Sequence, residues 1–487
     1  MQIMKKLFFS LTLLSSLCAM PSVCSAQDID VVVPKTSPKL YTGNNNPTLD
    51  FMFTADPTAV EHDGRLYVYA TNDQEEYETV GGKGNNGYQN IKSLVMMSTD
   101  DMVNWTYHGT IKMKDVAPWT HNSWAPSAVK IVDENGVTHF YIYFSNNGIG
   151  TAVITATSPV GPWTSPLNKN LIDSTTPGVE DCKVLFDPGA VVDENGVGWL
   201  AAGGACSRFM KLGKDMISID SKIITIDAPH HFEANELNYI NGTYVYTYNI
   251  DWQSMDDWTL SQEKPTTCCM VYLTSKNPLV ADSWKYRHNY FKNPGENGFQ
   301  YSNNHTHLHK FQGKWYILYH TMSLQHSFNT KGGFRNVCID EIQIDEETVD
   351  IKMGAMTLKG PEQIKPLNPY SRHQAETAAA TQGIKFTETD AVGNVIASNV
   401  EKRDGILLVK GVIFGAPADR IHVQAYGKGT IEVRQNSPKG ELLTTIPVNG
   451  KTMEEIQTKI KNPIIDQTDL CFVLKGNVYF DNWQFMM

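Results

Sequence analysis

From about Asn46 onward the chain is written in short runs of alternating apolar and polar residues, punctuated by Gly, Asn, Asp and Pro. Such alternation predicts half-buried strands. Five stretches repeat one plan: an apolar strand, a turn ending in Gly, and a second strand rich in Tyr, Trp or Phe. They read PTAVEHDGRLYVYATND from Pro57, PSAVKIVDENGVTHFYIYFSN from Pro126, PGAVVDENGVGWLAAGG from Pro188, ANELNYINGTYVYTYN from Ala234 and THLHKFQGKWYILYH from Thr306. The turn glycines are Gly64, Gly136, Gly196, Gly242 and Gly313. Asp-Gly and Asn-Gly mark hairpin turns because those turns need positive φ. A two-strand unit cannot bury both its faces alone, so five copies fit radial repetition, an all-β five-bladed propeller. The spacers are too irregular for a solenoid. A sandwich with long loops gives no reason for five copies of one hairpin.

The pattern changes after Asp350. Pro361, Pro366 and Pro369 fall close together and read as a linker. From about Arg372 the segments ILLVKGVIFG, RIHVQAYG, TIEVRQN, LCFVLKG and VYFDNWQF predict a small β-sandwich, jelly-roll-like in type. At the other end, Lys5 and Lys6 precede an apolar run from Leu7 to Met20, and Cys24-Ser25-Ala26 offers small residues for cleavage before Gln27. The organisation is therefore a signal peptide over residues 1–26, a propeller over 27–365 and a sandwich over 372–487. Export to the periplasm or medium is expected. A lipoprotein is disfavoured, since neither Cys18 nor Cys24 follows the usual Leu-small-small signature. No later stretch approaches the ~18 consecutive apolar residues of a membrane span.

Composition narrows the partner. With 41 Lys and Arg against 52 Asp and Glu the formal charge is −11, and loss of Lys5 and Lys6 with the leader takes it to −13. That excludes the basic footprint of a nucleic-acid binder. A neutral or small ligand is expected, on a monomer. Beyond the leader, Cys182, Cys206, Cys268, Cys269, Cys338 and Cys471 are scattered without CxxC pairs, so buried free thiols are the preferred reading, with Cys182–Cys206 the one bridge considered.

Counting back eight or nine residues from each turn glycine gives Asp56, Ser127, Asp187, Glu233 and His305. Innermost strands line a propeller's channel, so these five are expected at one mouth of it. A lone Asp before Pro ordinarily starts a turn, and a lone His is ordinarily a satisfied core residue; their common offset is what points to a pocket. Carboxylates around a neutral pocket suit glycosidic cleavage, in which one acid protonates the leaving oxygen and another activates water or attacks carbon. Phe232-Glu233-Ala234 is the most apolar of the three settings, so Glu233 is the expected general acid. Asp56 is then the general base, and Asp187 raises the acid's pKa and orients the pair. Trp124 is the aromatic available to stack on a sugar face.

These residues carry a resemblance. The Asp56-Pro57 hairpin, Ser123-Trp124-Ala125-Pro126, Phe186-Asp187-Pro188, Phe232-Glu233-Ala234, Asn304-His305 and Gly333-Phe334-Arg335 are similar, in order, to the motif set of glycoside hydrolase family 43. The similarity is to its β-xylosidase and α-L-arabinofuranosidase branch. It implies a five-bladed propeller and an inverting displacement, with Asp56 as base, Asp187 as pKa modulator and Glu233 as acid. It also implies that His305 lies beneath the site near a central metal, often calcium, and that Arg335 binds substrate. No organic cofactor is implied. Ser127 departs from members with an acid after Trp-Ala-Pro. Retaining families that cleave fructosides use three acids too, but with an Asn-Asp-Pro-Asn-type first motif and an acid followed by Cys, where this chain has Ala55-Asp56-Pro57-Thr58 and Glu233-Ala234.

In the tail, Gln374-Ala375-Glu376, Gly429 to Val433 and Asp481-Asn482-Trp483-Gln484-Phe485 resemble carbohydrate-binding module family 6. Glu376 is the candidate ligand for a structural calcium there. The tail has a single Trp, Trp483, and its other aromatic platforms are Tyr426 and Tyr479. The expectation is an exo-acting, inverting hydrolase releasing terminal β-D-xylose or α-L-arabinofuranose from xylan-type fragments, with xylo- or arabino-oligosaccharides as substrate. The alternatives are arabinofuranosidase as the main activity, and a non-catalytic sugar-binding propeller.

Overall fold

The computed structural model describes Pro34 and residues 36–487 apart from 401 and 463; the leader expected over 1–26 lies outside the described residues. Five antiparallel sheets follow one another along the chain. The first holds Ala55–His62, Arg65–Thr71, Ser93–Thr99 and Trp105–Lys112; the second Trp124–Val132, Thr138–Ser145, Gly150–Ala156 and Ile172–Asp173. Gly189–Val192, Gly198–Ala202, Arg208–Lys211 and Ile224–Thr225 form the third, and His231–Ile240, Thr243–Ile250, Met270–Ser275 and Lys285–Phe291 the fourth. The fifth has Thr306–Phe311, Lys314–Thr321 and Asn336–Glu341. First strands of successive sheets neighbour one another, and the fifth returns to the first. The result is a five-bladed propeller.

Each blade is apolar on both faces, so the core is a set of layers between blades. One layer joins Val60 and Tyr69 of the first blade to Phe140 and Ile142 of the second, and another joins Tyr143 to Leu200 of the third. Phe209 meets Tyr246 between the third and fourth, and Val245 meets Ile317 between the fourth and fifth. The ring closes without a shared strand. Residues leading into the first blade run along the open edge of the fifth, where Thr48 N–H reaches the Val337 carbonyl at 2.9 Å and Thr54 N–H the Arg335 carbonyl at 2.9 Å. Asn46 exchanges hydrogen bonds with the backbone of Ile339 through both ends of its amide, 2.9 Å each.

All five turn glycines sit at φ between +71° and +82°. The hairpins differ in loop length, however. Asp63-Gly64, Asn241-Gly242 and Gln312-Gly313 are two-residue turns with both residues at positive φ. The second and third blades use five-residue loops, 133–137 and 193–197, held by the carboxylates of Asp133 and Asp193 accepting two backbone N–H groups each. Counting back from glycine therefore does not reach equivalent places in every blade.

The tail is not joined by a free linker. Ile364 N–H donates to the Asp101 carbonyl and Leu367 N–H to that of Gly411, so the proline-rich stretch is packed between blade and tail. Gly405–Ile413, Arg420–Gln435, Leu442–Lys459 and Gln467–Met486 wrap one apolar core that includes Ile421, Ile446, Phe472 and Trp483. Thr377–Ala378 adds a fifth strand to the first blade, beside Trp105 and Thr106. Phe386 packs on Phe51 at 4.4 Å, Val395 enters the layer containing Trp105, and Asp50 accepts the N–H and hydroxyl of Thr381.

Candidate active site

Three of the blades enter their first strand through a bulge whose key residue has positive φ: Asp56 at 48°, Ala125 at 41° and Ala234 at 60°, while Asp187 at 51° stands just before the third blade's first strand. Positive φ costs a residue with a Cβ about 1–3 kcal/mol and persists where surroundings over-determine it. The surroundings here are side chains. Asp56 N–H donates to His320 Nδ1 at 3.2 Å, Ala125 N–H to Thr71 Oγ1 at 2.8 Å, Asp187 N–H to Ser145 Oγ at 2.7 Å and Ala234 N–H to Asp187 Oδ2 at 2.9 Å. His320, Thr71 and Ser145 each stand at the end of the second strand of the preceding blade, so one device recurs around the ring.

This pattern corrects the common offset. Asp56 and Asp187 hold the positive-φ place, which Ala125 fills in the second blade. Ser127 lies two residues further in, where its hydroxyl accepts Ala190 N–H at 2.9 Å as that of Thr58 accepts Ala128 N–H at 3.0 Å. Glu233 precedes the positive-φ Ala234 and takes the place of Trp124. The three acids still converge: Ala234 N–H binds Asp187, and Asn303 links Glu233 to the blade that holds Asp56 through His320.

Asp56 is 4% exposed. Burial alone would raise its pKa, but the Arg335 guanidinium at 2.9 Å holds it far below the carboxylate range, and ring nitrogens of His320 and His305 stand at 3.2 and 3.5 Å. Its other oxygen accepts the Thr71 hydroxyl at 2.8 Å. Arg335 is equally buried and anchored by the fully buried Asp73, whose two oxygens take Nε and Nη2 at 2.9 Å each. A bidentate pair of this kind fixes the guanidinium plane, and Tyr88 stacks over it at 5.0 Å. Arg335 is thus brought to the site as a partner of Asp56.

Glu233 and Asp187 go the other way. Burial, then the nearby Asp56 charge, push Glu233 up to about 7, against the hydrogen bond it accepts from Asn303 Nδ2 at 3.1 Å. Asp187 is raised by burial and by the charges of Glu233 and Asp56. A buried Asp187 and a half-buried Glu233, with no cation between them, hold a proton at neutral pH. Trp124 is half-buried at the same mouth, its indole N–H donating to the Tyr88 carbonyl at 2.9 Å.

Asp73, Tyr88, Asn303 and His320 carry no sequence signal that marks them as site residues. His320 closes the YILYH strand of the fifth hairpin and Asn303 adjoins Asn304-His305, so both stand beside residues that do. Asp73 and Tyr88 sit in an insertion whose sequence gives no sign that it folds back on Arg335.

The metal expectations part company. At the centre, His305 is buried and its imidazole is held near 4 by burial, yet among the described residues no three His, Cys, Asp or Glu side chains group as a metal site. A calcium ion seeks six to eight oxygens, so His305 does not fit it as a ligand and no step is drawn through a metal. In the tail, Glu376 is 2% exposed, neither of its carboxyl oxygens has a hydrogen-bond partner among the described residues, and Asp481 adds a second negative charge. Orphaned carboxylate oxygens fit an oxygen-seeking cation. Trp483 is 1% exposed and belongs to the core, leaving the stacked pair Tyr426 and Tyr479, 4.4 Å apart, as half-buried tyrosines of that sheet. The thiol reading needs one correction: Cys182 and Cys206 are joined, while Cys268, Cys269, Cys338 and Cys471 are free and buried.

A five-bladed propeller with two proton-retaining carboxyls facing one ionised, arginine-bound carboxylate is the arrangement of a glycoside hydrolase. The sequence model of glycosyl hydrolases family 43 matches residues 44–349, and the chain belongs to that family. It is 34% identical over 488 residues to an arabinoxylan arabinofuranohydrolase of Bacillus subtilis, covering 91% of this chain and 93% of that one. An arabinoxylan arabinofuranohydrolase of Paenibacillus polymyxa is 33% identical, over 98% of this chain and 79% of its own. The crystal structure of the family 43 Bacillus subtilis arabinoxylan arabinofuranohydrolase, solved with cellotetraose, superposes with a TM-score of 0.85 at 33% identity, covering 94% of this chain and all of that one.

Proposed function

We propose that the protein removes α-L-arabinofuranosyl side groups from arabinoxylan and its fragments by single-displacement, inverting hydrolysis. The observation that carries this reading is the opposite tuning of Asp56 and Glu233 at one channel mouth; the full-length similarity to two arabinoxylan arabinofuranohydrolases supplies the substrate. Asp56, ionised beside Arg335, is the general base that takes a proton from water as the oxygen attacks the anomeric carbon. Glu233 is the general acid that gives its proton to the departing glycosidic oxygen. Asp187, itself holding a proton, orients Glu233 through Ala234, whose N–H it accepts at 2.9 Å. Trp124 and Tyr88 form the wall a sugar ring would meet.

β-D-xylosidase activity is the second reading, since it shares every step and differs only in pocket shape. Nitrophenyl arabinofuranoside, nitrophenyl xyloside and arabinoxylan, each with wild type and Glu233→Ala, separate the two; equal turnover by both proteins would remove the catalytic assignment. Binding of oligosaccharide without turnover would favour a sugar-binding propeller instead. The first-formed anomer, followed by NMR, tests inversion.

The tail is assigned a cation held by Glu376 and Asp481, which neutralises a buried carboxylate and stiffens the fold there. Export is assigned to residues 1–26, with mature protein starting at Gln27; N-terminal sequencing of the released protein checks this.

A further inference from the structure

We propose that the Cys182–Cys206 disulfide, with the turn from Gly203 to Cys206 that it anchors, is a splint setting the placement of Asp187 relative to Glu233. This rests on the reading of those two residues as a working acid pair.

The turn is hydrogen-bonded to both acid-bearing segments at once. Gly203 N–H donates to the carbonyl of Phe186, the residue before Asp187, at 2.9 Å. Ala205 N–H donates to the carbonyl of Phe232, the residue before Glu233, at 2.8 Å. Asn235 completes the frame, its Nδ2 donating to the carbonyls of Gly203 at 2.9 Å and Asp187 at 2.7 Å. The turn lies hard against the cross-link: a Cβ on Gly203, at φ +121°, would stand 2.7 Å from the Cys206 sulfur and 3.0 Å from that of Cys182.

On the far side of the bridge the chain is irregular, held by the buried Val179 and Leu185, by Leu185 N–H on the Gly148 carbonyl at 2.9 Å and by Arg208 on the Gly178 carbonyl at 3.1 Å, with the disulfide as its covalent tie. Between Ile172–Asp173 and Gly189–Val192 the only ladder contact is the isolated bridge of Val184 with Gly204. The disulfide therefore ties the end of a long irregular segment to the one turn that touches both acids. Glu233 faces Asp56, Asp187, Arg335, Tyr88, the amide of Asn303 and the thiol of Cys268. Of these groups only Asp187 lies on the segment that the bridge secures. Loosening the bridge moves Asp187 and admits water, while Asp56 and Arg335 stay fixed by Asp73 and His320. The consequence is specific: the acid loses its proton at lower pH, and the base is untouched.

The test compares oxidised wild type, Cys182→Ser/Cys206→Ser, and wild type treated with a small dithiol. The dithiol gives the bridge two electrons and two protons and closes to its own cyclic disulfide; Cys206 is partly exposed to it. Activity of the oxidised protein on nitrophenyl arabinofuranoside stands or falls with the proposed function alone. Given that activity, the splint predicts that kcat falls about tenfold on loss of the bridge, in line with small misplacements of catalytic groups. It also predicts that the basic limb of the kcat profile moves to lower pH, with unchanged far-ultraviolet circular dichroism and recovery on reoxidation. Unchanged kcat and limb with two additional thiols titrated would overturn it, and so would a lower melting temperature as the sole effect. Should the double variant fail to fold, reduced and reoxidised wild type decides between the same two outcomes.

Discussion

The propeller and the tail each bury a carboxylate almost completely, and treat it in opposite ways. Asp56 has a guanidinium, two imidazoles and a hydroxyl within 3.5 Å. Among the described residues Glu376 has no hydrogen-bond partner at either oxygen, and a second acid acts on it. A charge removed from water needs compensation from its surroundings or gives up its ionisation. Asp56 is compensated internally and stays charged, as a base must. Glu376 is compensated only if something comes from outside, which is why the same degree of burial marks a chemical group in one place and a cation site in the other.

The comparison breaks most readily at Asp56. Asp56→Asn is expected to lower kcat by about 10³–10⁴, the upper range for loss of a general base, with little change in melting temperature, measured by steady-state kinetics and calorimetry. Arg335→Lys comes next. Lysine cannot span both Asp73 and Asp56, so a buried acid is left unpaired, costing roughly 3–5 kcal/mol of stability. Asp56 also rises toward the ordinary carboxylate range, so an acid limb should enter the kcat/KM profile that wild type lacks.

Glu376 should respond in stability alone. Its folded-state pKa is raised above the ordinary 4.5 by burial, then by Asp481. In chelator-treated protein the destabilisation is therefore absent below about pH 4.5 and grows as pH rises. Calcium should raise the melting temperature at pH 8 and barely at pH 4.5, while Glu376→Gln abolishes the calcium effect with kcat intact. The smallest expected change is at Asn303. Removing its hydrogen bond in Asn303→Ala takes away an interaction that favours ionised Glu233, so the basic limb should move up by about half to one pH unit.

The blades were legible because their turns announce themselves: Asp-Gly and Asn-Gly demand a backbone that few other pairs adopt, and the glycines all adopt it. The acids were legible for a different reason, being polar residues at the mouths of apolar strands. Their equivalence was not, since loops of two and five residues displace the count, and Ser127 stands deeper in the channel than Asp56 for that reason. Asp73 could not be tied to Arg335 across 262 positions of sequence, as the contact depends on how the first and last blades meet. The same holds for the proline-rich stretch after Asp350. Its composition matches a linker, while its backbone groups are bonded to Asp101 and Gly411, which only the fold brings near.

The central claim is that Asp56 is ionised while Glu233 holds its proton. The pH dependence of kcat/KM for nitrophenyl arabinofuranoside, between about pH 3.5 and 9, tests it directly. The expected profile is flat on the acid side, because Asp56 does not titrate there, and falls tenfold per unit above about pH 7 as Glu233 ionises. A profile that rises through about pH 5 to 6 with no loss above about 7 would contradict it.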